Sequence, residues 1–215
     1  FPEAGSDTLI PLSWVQAAQE RSLEPSGSVV LGVDVARFGD DETVICLRRG
    51  PVARIVHAGT QEDTMQTTGR VVRALAETGA ERAQVDAVGI GAGVVDRLRE
   101  MGKPVVEMQA GEAASDPERF ANRRAEWYWA LRERFEAGEI DLDPADEELA
   151  AQLTAIKYRI DSRGRIVIES KDEMKRRGLP SPDRADALCL AFAPPPGGVP
   201  LPESVREMLR GASLV

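Results

Sequence analysis

Val29-Val30-Leu31-Gly32-Val33-Asp34-Val35-Ala36 is a nearly continuous apolar run with one aspartate close to its end. A run of this kind is expected of a central strand buried on both faces. An isolated carboxylate inside such a strand costs several kcal/mol unless something compensates it, so Asp34 calls for a partner. After Arg37-Phe38-Gly39-Asp40-Asp41-Glu42, the apolar residues 43–48 predict a second strand. Arg49-Gly50-Pro51 then turns the chain into a third, over 52–57. Three strands joined by short turns predict an antiparallel meander.

Outward from the meander the periodicity changes. Met65, Val71, Val72 and Leu75 take helical spacing over 64–77, residues 82–86 predict a strand, Val88-Gly89-Ile90-Gly91-Ala92-Gly93 opens a helix running over 88–100, and 103–107 predict a fifth strand. Strands alternating with helices after a meander predict an α/β fold with a mixed five-stranded sheet. A long helix is expected over 119–137, with Ala121, Tyr128, Leu131 and Phe135 as its apolar stripe and Trp127 and Trp129 as packing residues. A shorter helix over 145–153 follows. Residues 156–160 and 165–169 flank Asp161-Ser162-Arg163-Gly164 as a hairpin, and a last helix is expected over 181–192. Ser13 can cap a short helix near the start, carrying Trp14, Val15 and Ala18. The expected organisation is a linker over 1–25, one domain over 26–195 and a loosely ordered tail over 196–215. The opening Phe1-Pro2, without an initiator Met, reads as a cut from a longer chain.

Composition narrows the chemistry. A single histidine, His57 in an extended apolar run, leaves almost no material for a His-rich zinc site or a His-based triad. Cys46 and Cys189 lie in unrelated apolar contexts and read as buried small hydrophobes. No apolar stretch long enough to span a bilayer is present. The formal net charge of -9 opposes a nucleic-acid partner. That argument weakens where carboxylates hold cations, because bound ions reverse the local sign.

The carboxylates repeat the anomaly of Asp34. Asp86 ends another expected strand, and Asp183 and Asp186 stand three apart on one face of the last helix. Each has an ordinary reading alone: an Asx-turn for Asp34, a turn residue before Gly89 for Asp86, a favourable helix N-terminus for Asp183. In this order, three separate elements can bring acids to one edge of the sheet. Oxygen ligands without histidine suit Mg²⁺ or Mn²⁺.

Leu31-Gly32-Val33-Asp34-Val35-Ala36, Val85-Asp86 and Ser181-Pro182-Asp183-Arg184-Ala185-Asp186-Ala187-Leu188 resemble the three acidic motifs of RuvC-type, RNase H-like nucleases, in the version found in bacteriophage terminase large subunits. Ile10-Pro11-Leu12-Ser13-Trp14-Val15, Asn122-Arg123-Arg124-Ala125-Glu126 and Lys171-Asp172-Glu173-Met174-Lys175 resemble that family too. The resemblance implies an RNase H-like sheet with an added β-hairpin. It further implies an endonuclease that cuts double-stranded DNA by two-metal-ion hydrolysis during viral genome packaging, with two Mg²⁺ or Mn²⁺ ions. Asp34, Asp86 and Asp183 would be catalytic ligands and Asp186 a further ligand or a supporting residue. Asp40 joins by the same carry-over, against the plainer reading of a solvated acidic loop. The implied partners are double-stranded DNA, the portal protein, the small terminase subunit and an ATPase domain whose phosphate-binding loop this sequence lacks. The implied location is the infected host's cytoplasm, at the procapsid portal.

Backbone contacts to DNA are expected from Arg159, Arg163, Arg165, Lys171, Lys175, Arg176 and Arg177, unless these form an ordinary solvated face. Three other readings stay open on the sequence. A Holliday-junction resolvase or transposase would share the acidic motifs, an actin-like ATPase also opens on a strand, an aspartate and a meander, and an idle docking module would keep the fold without the chemistry.

Overall fold

The structure, a computed structural model, describes residues 7–36 and 41–196. In chain order the elements are β1 (Asp7–Thr8), α1 (Leu12–Glu20), β2 (Val29–Asp34), β3 (Glu42–Arg49), β4 (Val52–Thr60), α2 (Thr64–Thr78), β5 (Arg82–Asp86), α3 (Ile90–Glu100), β6 (Val105–Met108), α4 (Arg123–Glu136), α5 (Glu147–Ala155), β7 (Lys157–Ile160), β8 (Ile166–Ile168), α6 (Lys171–Arg176) and α7 (Asp183–Phe192). The main sheet has the order β4-β3-β2-β5-β6. The meander β2, β3 and β4 is antiparallel, and β5 and β6 join it in parallel.

Alternation along the strands sets the layers, since successive side chains face opposite sides. Leu31, Val33, Ile45, Ala83 and Val85 pack with Val71 and Leu75 of α2 and Val94, Val95 and Leu98 of α3 in one apolar cluster. Val44 and Cys46 join a second cluster with residues of α1, α4, α5 and α7. On β2 and β5 the remaining alternate residues include Gly32, Asp34, Gln84 and Asp86, which therefore share the α7 side. Because β2 and β5 run parallel, both aspartates emerge at the carboxyl end of the sheet.

Gly32 lets α7 approach. A Cβ there would run into the backbone of α7 at Ala187 and Ala191, so only a bare α-carbon admits the helix this close to the sheet. Gln84, fully buried, donates to the carbonyls of Leu190 and Ala193 and secures the other end of α7. A second close approach is at Gly91, where a Cβ would strike the carbonyl of Asp86. The first turn of α3 thus rests on the end of β5.

Element boundaries differ from the sequence expectation for local reasons. Helix α4 starts at Arg123, because Asn122 caps it by accepting the Ala125 amide at 2.9 Å. Residues just before it bond instead to β8, Ala121 donating to Ile166 and Ile166 to Arg119. The expected hairpin is β7 and β8, and β1 extends it to a three-stranded sheet. The segment expected as a linker contributes Leu9, Ile10, Val15 and Ala18 to the larger core. Among the described residues, no helix is long and apolar enough to cross a membrane. Asp40 and residues 197–215 lie outside the described residues.

Candidate metal centre

Asp34 ends β2, and the start of α7 brings Asp183 and Asp186 beside it. The N-terminus of α7 is fixed from α5: Gln152 Oε1 accepts the amides of Arg184 at 2.9 Å and Ala185 at 3.2 Å. Those amides have no partner within the helix, so an acceptor from outside stabilises the end. Arg184 ties the same turn to Asp146 at 3.0 Å and to Glu42 at 3.3 Å. Asp183 Oδ2 in turn accepts the Glu42 amide at 2.7 Å.

The three acids are buried, Asp34 and Asp183 at 3% exposure and Asp186 at 9%. Their common partner is Lys171, from the first turn of α6. Its Nζ lies 2.9 Å from Asp34 Oδ2, 3.0 Å from Asp183 Oδ1 and 3.2 Å from Asp186 Oδ2. Three buried carboxylates cannot all stay charged without cations nearby, and the ammonium is one. Arg124 supplies a second, 3.0 Å from Asp186 Oδ1, with Tyr128 Oη donating to the same oxygen at 2.6 Å.

The titration of the cluster follows from this arrangement. Burial pushes the Asp34 carboxyl well above the usual carboxylate range; Lys171 pulls it down, while Asp186 and Asp183 push it further up. Asp186 lies below that range, because Arg124 and Lys171 outweigh its burial. Lys171 is held above an ordinary lysine, its burial outweighed by Asp34, Asp186 and Asp183. Asp86 stands apart from the ammonium. It is half-buried at the end of β5, its Oδ1 accepts the Val88 amide at 3.2 Å, and burial raises its pKa. It nonetheless lines, with Lys171, Asp186, Arg124 and Tyr128, a cavity of about 210 Å³.

The donor set fits a hard divalent cation in kind: carboxylate oxygens only, a positive group already at their centre, and one buried oxygen, Asp186 Oδ2, accepting no hydrogen bond. With the ammonium seated, no three acidic, histidine or cysteine side chains among the described residues are drawn together closely enough to hold an ion. His57 is bonded to Glu62 at 3.0 Å and makes no contact with these acids.

The sequence places Asp34, Asp86, Asp183 and Asp186 at one edge of the sheet and Lys171 on a DNA-facing surface; in the structure Asp34, Asp183 and Asp186 meet at Lys171, with Asp86 beside them on the cavity side. The Lys171 ammonium points into the acids instead. In the sequence Arg124 stands only within a segment that resembles the terminase family and Tyr128 within an apolar stripe; their i, i+4 spacing on a helix with a buried face is the available signal. Of the remaining basic residues, Arg159 pairs with Glu173, Arg165 with Asp161, Lys175 with Asp41 and Arg177 with the buried Glu169. Arg163 and Arg176 are exposed and form no close ion pair among the described residues.

No protein-family model and no curated protein sequence matches this chain. Solved structures do. The nuclease domain of the large terminase subunit gp2 of bacterial virus Sf6 matches with a TM-score of 0.80 at 26% identity, covering 88% of this chain and 100% of that one. The chain has the fold of a phage terminase nuclease domain. A lysine-to-alanine mutant of the Sf6 domain, with manganese and beta-thujaplicinol, matches at a TM-score of 0.80 and 25% identity over the same shares of the two chains. The large terminase nuclease from thermophilic phage G20c, with bound magnesium, shares the fold at a TM-score of 0.61 and 15% identity, covering 79% of this chain and 84% of that one. In this terminase nuclease fold, the five-stranded mixed sheet and flanking helices are the RNase H-like core expected from the sequence, and β7 and β8 form the added hairpin.

Proposed function

We propose that this chain is a metal-dependent endonuclease that cuts double-stranded DNA during viral genome packaging, with its catalytic centre at Asp34, Asp86, Asp183 and Asp186. The observation that carries this reading is the convergence of three buried carboxylates on a single ammonium within a fold shared with terminase nuclease domains, which have been solved with manganese or magnesium.

Asp34 is the central acid, reaching toward the α7 carboxylates on one side and sharing the sheet edge with Asp86 on the other. Asp183 and Asp186 would hold the side of the centre formed by α7, and Asp86 the side facing the cavity. Two Mg²⁺ or Mn²⁺ ions held there would activate a water and offset charge on the scissile phosphate. The chain's own part is to keep the carboxylates ionised and aimed. Lys171 does so without metal, as a resident cation that must yield its place to one. Exclusion of water from the α7 side by Ala187, Leu188 and Leu190 strengthens every charge interaction at the cluster.

The test is incubation of supercoiled plasmid with the chain and Mn²⁺ or Mg²⁺, beside EDTA and an Asp34→Asn control. Linear product that requires the ion and Asp34 supports the reading. An inert parent chain across both ions, or equal cleavage by the control, overturns it.

A further inference from the structure

The carboxylates around Lys171 are not held alike. Asp186 Oδ1 accepts two hydrogen bonds, from Tyr128 Oη at 2.6 Å and Arg124 Nη2 at 3.0 Å. Its Oδ2 is buried and accepts none, with Lys171 Nζ at 3.2 Å. A carboxylate bound at one oxygen by two donors cannot turn about its own axis without losing both. Its second oxygen therefore keeps one direction, into the space that the ammonium fills.

The donors are themselves fixed. Arg124 Nη1 donates to the Glu169 carbonyl at 2.7 Å, immediately before the turn that carries Lys171. Its guanidinium lies 4.8 Å from the centre of the Tyr128 ring, one helical turn along α4. Tyr128 is 1% exposed, and the Asn122 cap sets where the helix, and hence both side chains, begin. The cluster is thus one connected unit joining α4, the approach to α6, and α7.

We propose that Arg124 and Tyr128 are positioning residues that hold Asp186 by Oδ1 and so present its other oxygen, Oδ2, to a divalent cation that displaces Lys171. The proposal rests on the reading of the carboxylate cluster as a metal centre. Partners that orient a metal ligand typically contribute about 10–100-fold in metal affinity.

Mn²⁺ binding, followed by the electron paramagnetic resonance signal of free Mn²⁺, tests it on the full chain without DNA. Tyr128→Phe removes only the hydroxyl, and its Mn²⁺ affinity is expected to fall about 10-fold while the melting temperature stays near that of the parent. Arg124→Gln should lose more, about 100-fold, with partial recovery in Arg124→Lys, which restores the charge and one donor. In cleavage assays, the Mn²⁺ concentration for half-maximal rate should rise with KM for DNA unchanged. Parent-like Mn²⁺ affinity in folded Tyr128→Phe overturns the proposal, and this variant decides the matter even if Arg124→Gln destabilises the chain. Failure of the parent chain itself to bind Mn²⁺ overturns the metal-centre reading, and the proposal with it.

Discussion

The ammonium of Lys171 lies 2.9 Å from Oδ2 of Asp34, although the two residues are 137 positions apart in the chain. This contact joins the first strand of the meander to the approach of the last helix, and it places a cation where a divalent ion is proposed to bind. On that proposal, lysine and metal compete for the same oxygens.

Lys171→Ala should therefore separate stability from metal affinity. Without metal the variant should melt lower than the parent, since three buried acids lose a shared cation. The loss of about 3–5 kcal/mol seen when a fully buried pair is broken is an upper bound, because the Lys171 side chain is 35% exposed. Mn²⁺ should bind the variant more tightly and raise its melting temperature by more than it raises the parent's. Scanning fluorimetry with and without Mn²⁺ measures both, and an equal rise in the two proteins would show that lysine and ion do not share a site.

Asp34→Asn should abolish cleavage yet raise the melting temperature of the metal-free chain at neutral pH. The sign follows from burial, which lifts the folded Asp34 carboxyl well above the usual carboxylate range. A carboxyl with a raised folded pKa binds protons more tightly when folded, so its contribution to stability is full below the unfolded pKa and declines as pH rises toward the folded one. The loss is greatest above the folded pKa, and asparagine avoids it. The gain should show as a higher melting temperature and should shrink on acidification toward the usual carboxylate range. A gain that grows on acidification would contradict the assignment of burial as the dominant cause.

The fold was legible in the sequence because its central features are local. The apolar run ending at Asp34, the turn at Arg49-Gly50-Pro51 and the strand–helix alternation after it needed no long-range knowledge. Asp34, Asp183 and Asp186 were legible for a similar reason: a charge in an apolar strand and an Asp-x-x-Asp pair on a helix are anomalies within a few residues of sequence. Lys171, Arg124 and Tyr128 were not. A lysine in a basic stretch and a tyrosine in an apolar stripe look ordinary, and their roles depend on how α4, α6 and α7 meet. The opening segment carried its own signal in Leu9, Ile10 and Val15, but its pairing with β7 is long-range.

Gly32→Ala tests the close approach of α7 to β2. The added methyl meets helix backbone at Ala187 and Ala191 rather than a flexible side chain, so the helix must shift. Overpacking of this kind typically costs about 1–3 kcal/mol, and the shift would carry Asp183 and Asp186 away from Asp34. Denaturant titration should show the destabilisation, and cleavage should fall further than stability alone explains. A variant as stable and active as the parent would show that the contact can relax freely.

The net charge of -9 predicts weak, salt-sensitive DNA binding that improves with divalent ions. Arg163 and Arg176 are exposed basic residues of the proposed DNA face that form no close ion pair among the described residues, Arg176 acting on Glu173 only from a distance. Reversing both to glutamate should weaken cleavage of every duplex alike and lower the salt dependence by about one unit per lost phosphate contact, with stability within roughly 0.5 kcal/mol of the parent. Arg177→Glu should instead destabilise the fold, because it strips the partner from buried Glu169. Unchanged salt dependence in the double variant would move the DNA path elsewhere.

The central claim is that the acids at the end of β2 and the start of α7 form a divalent-metal centre. An anomalous difference map from a crystal of the chain soaked in Mn²⁺ tests it most directly. The account predicts density among Asp34, Asp183 and Asp186, with Asp86 on its cavity side and the Lys171 ammonium displaced from its three oxygens. Lys171 still seated, with Mn²⁺ density at His57 and Glu62 or nowhere, would contradict it.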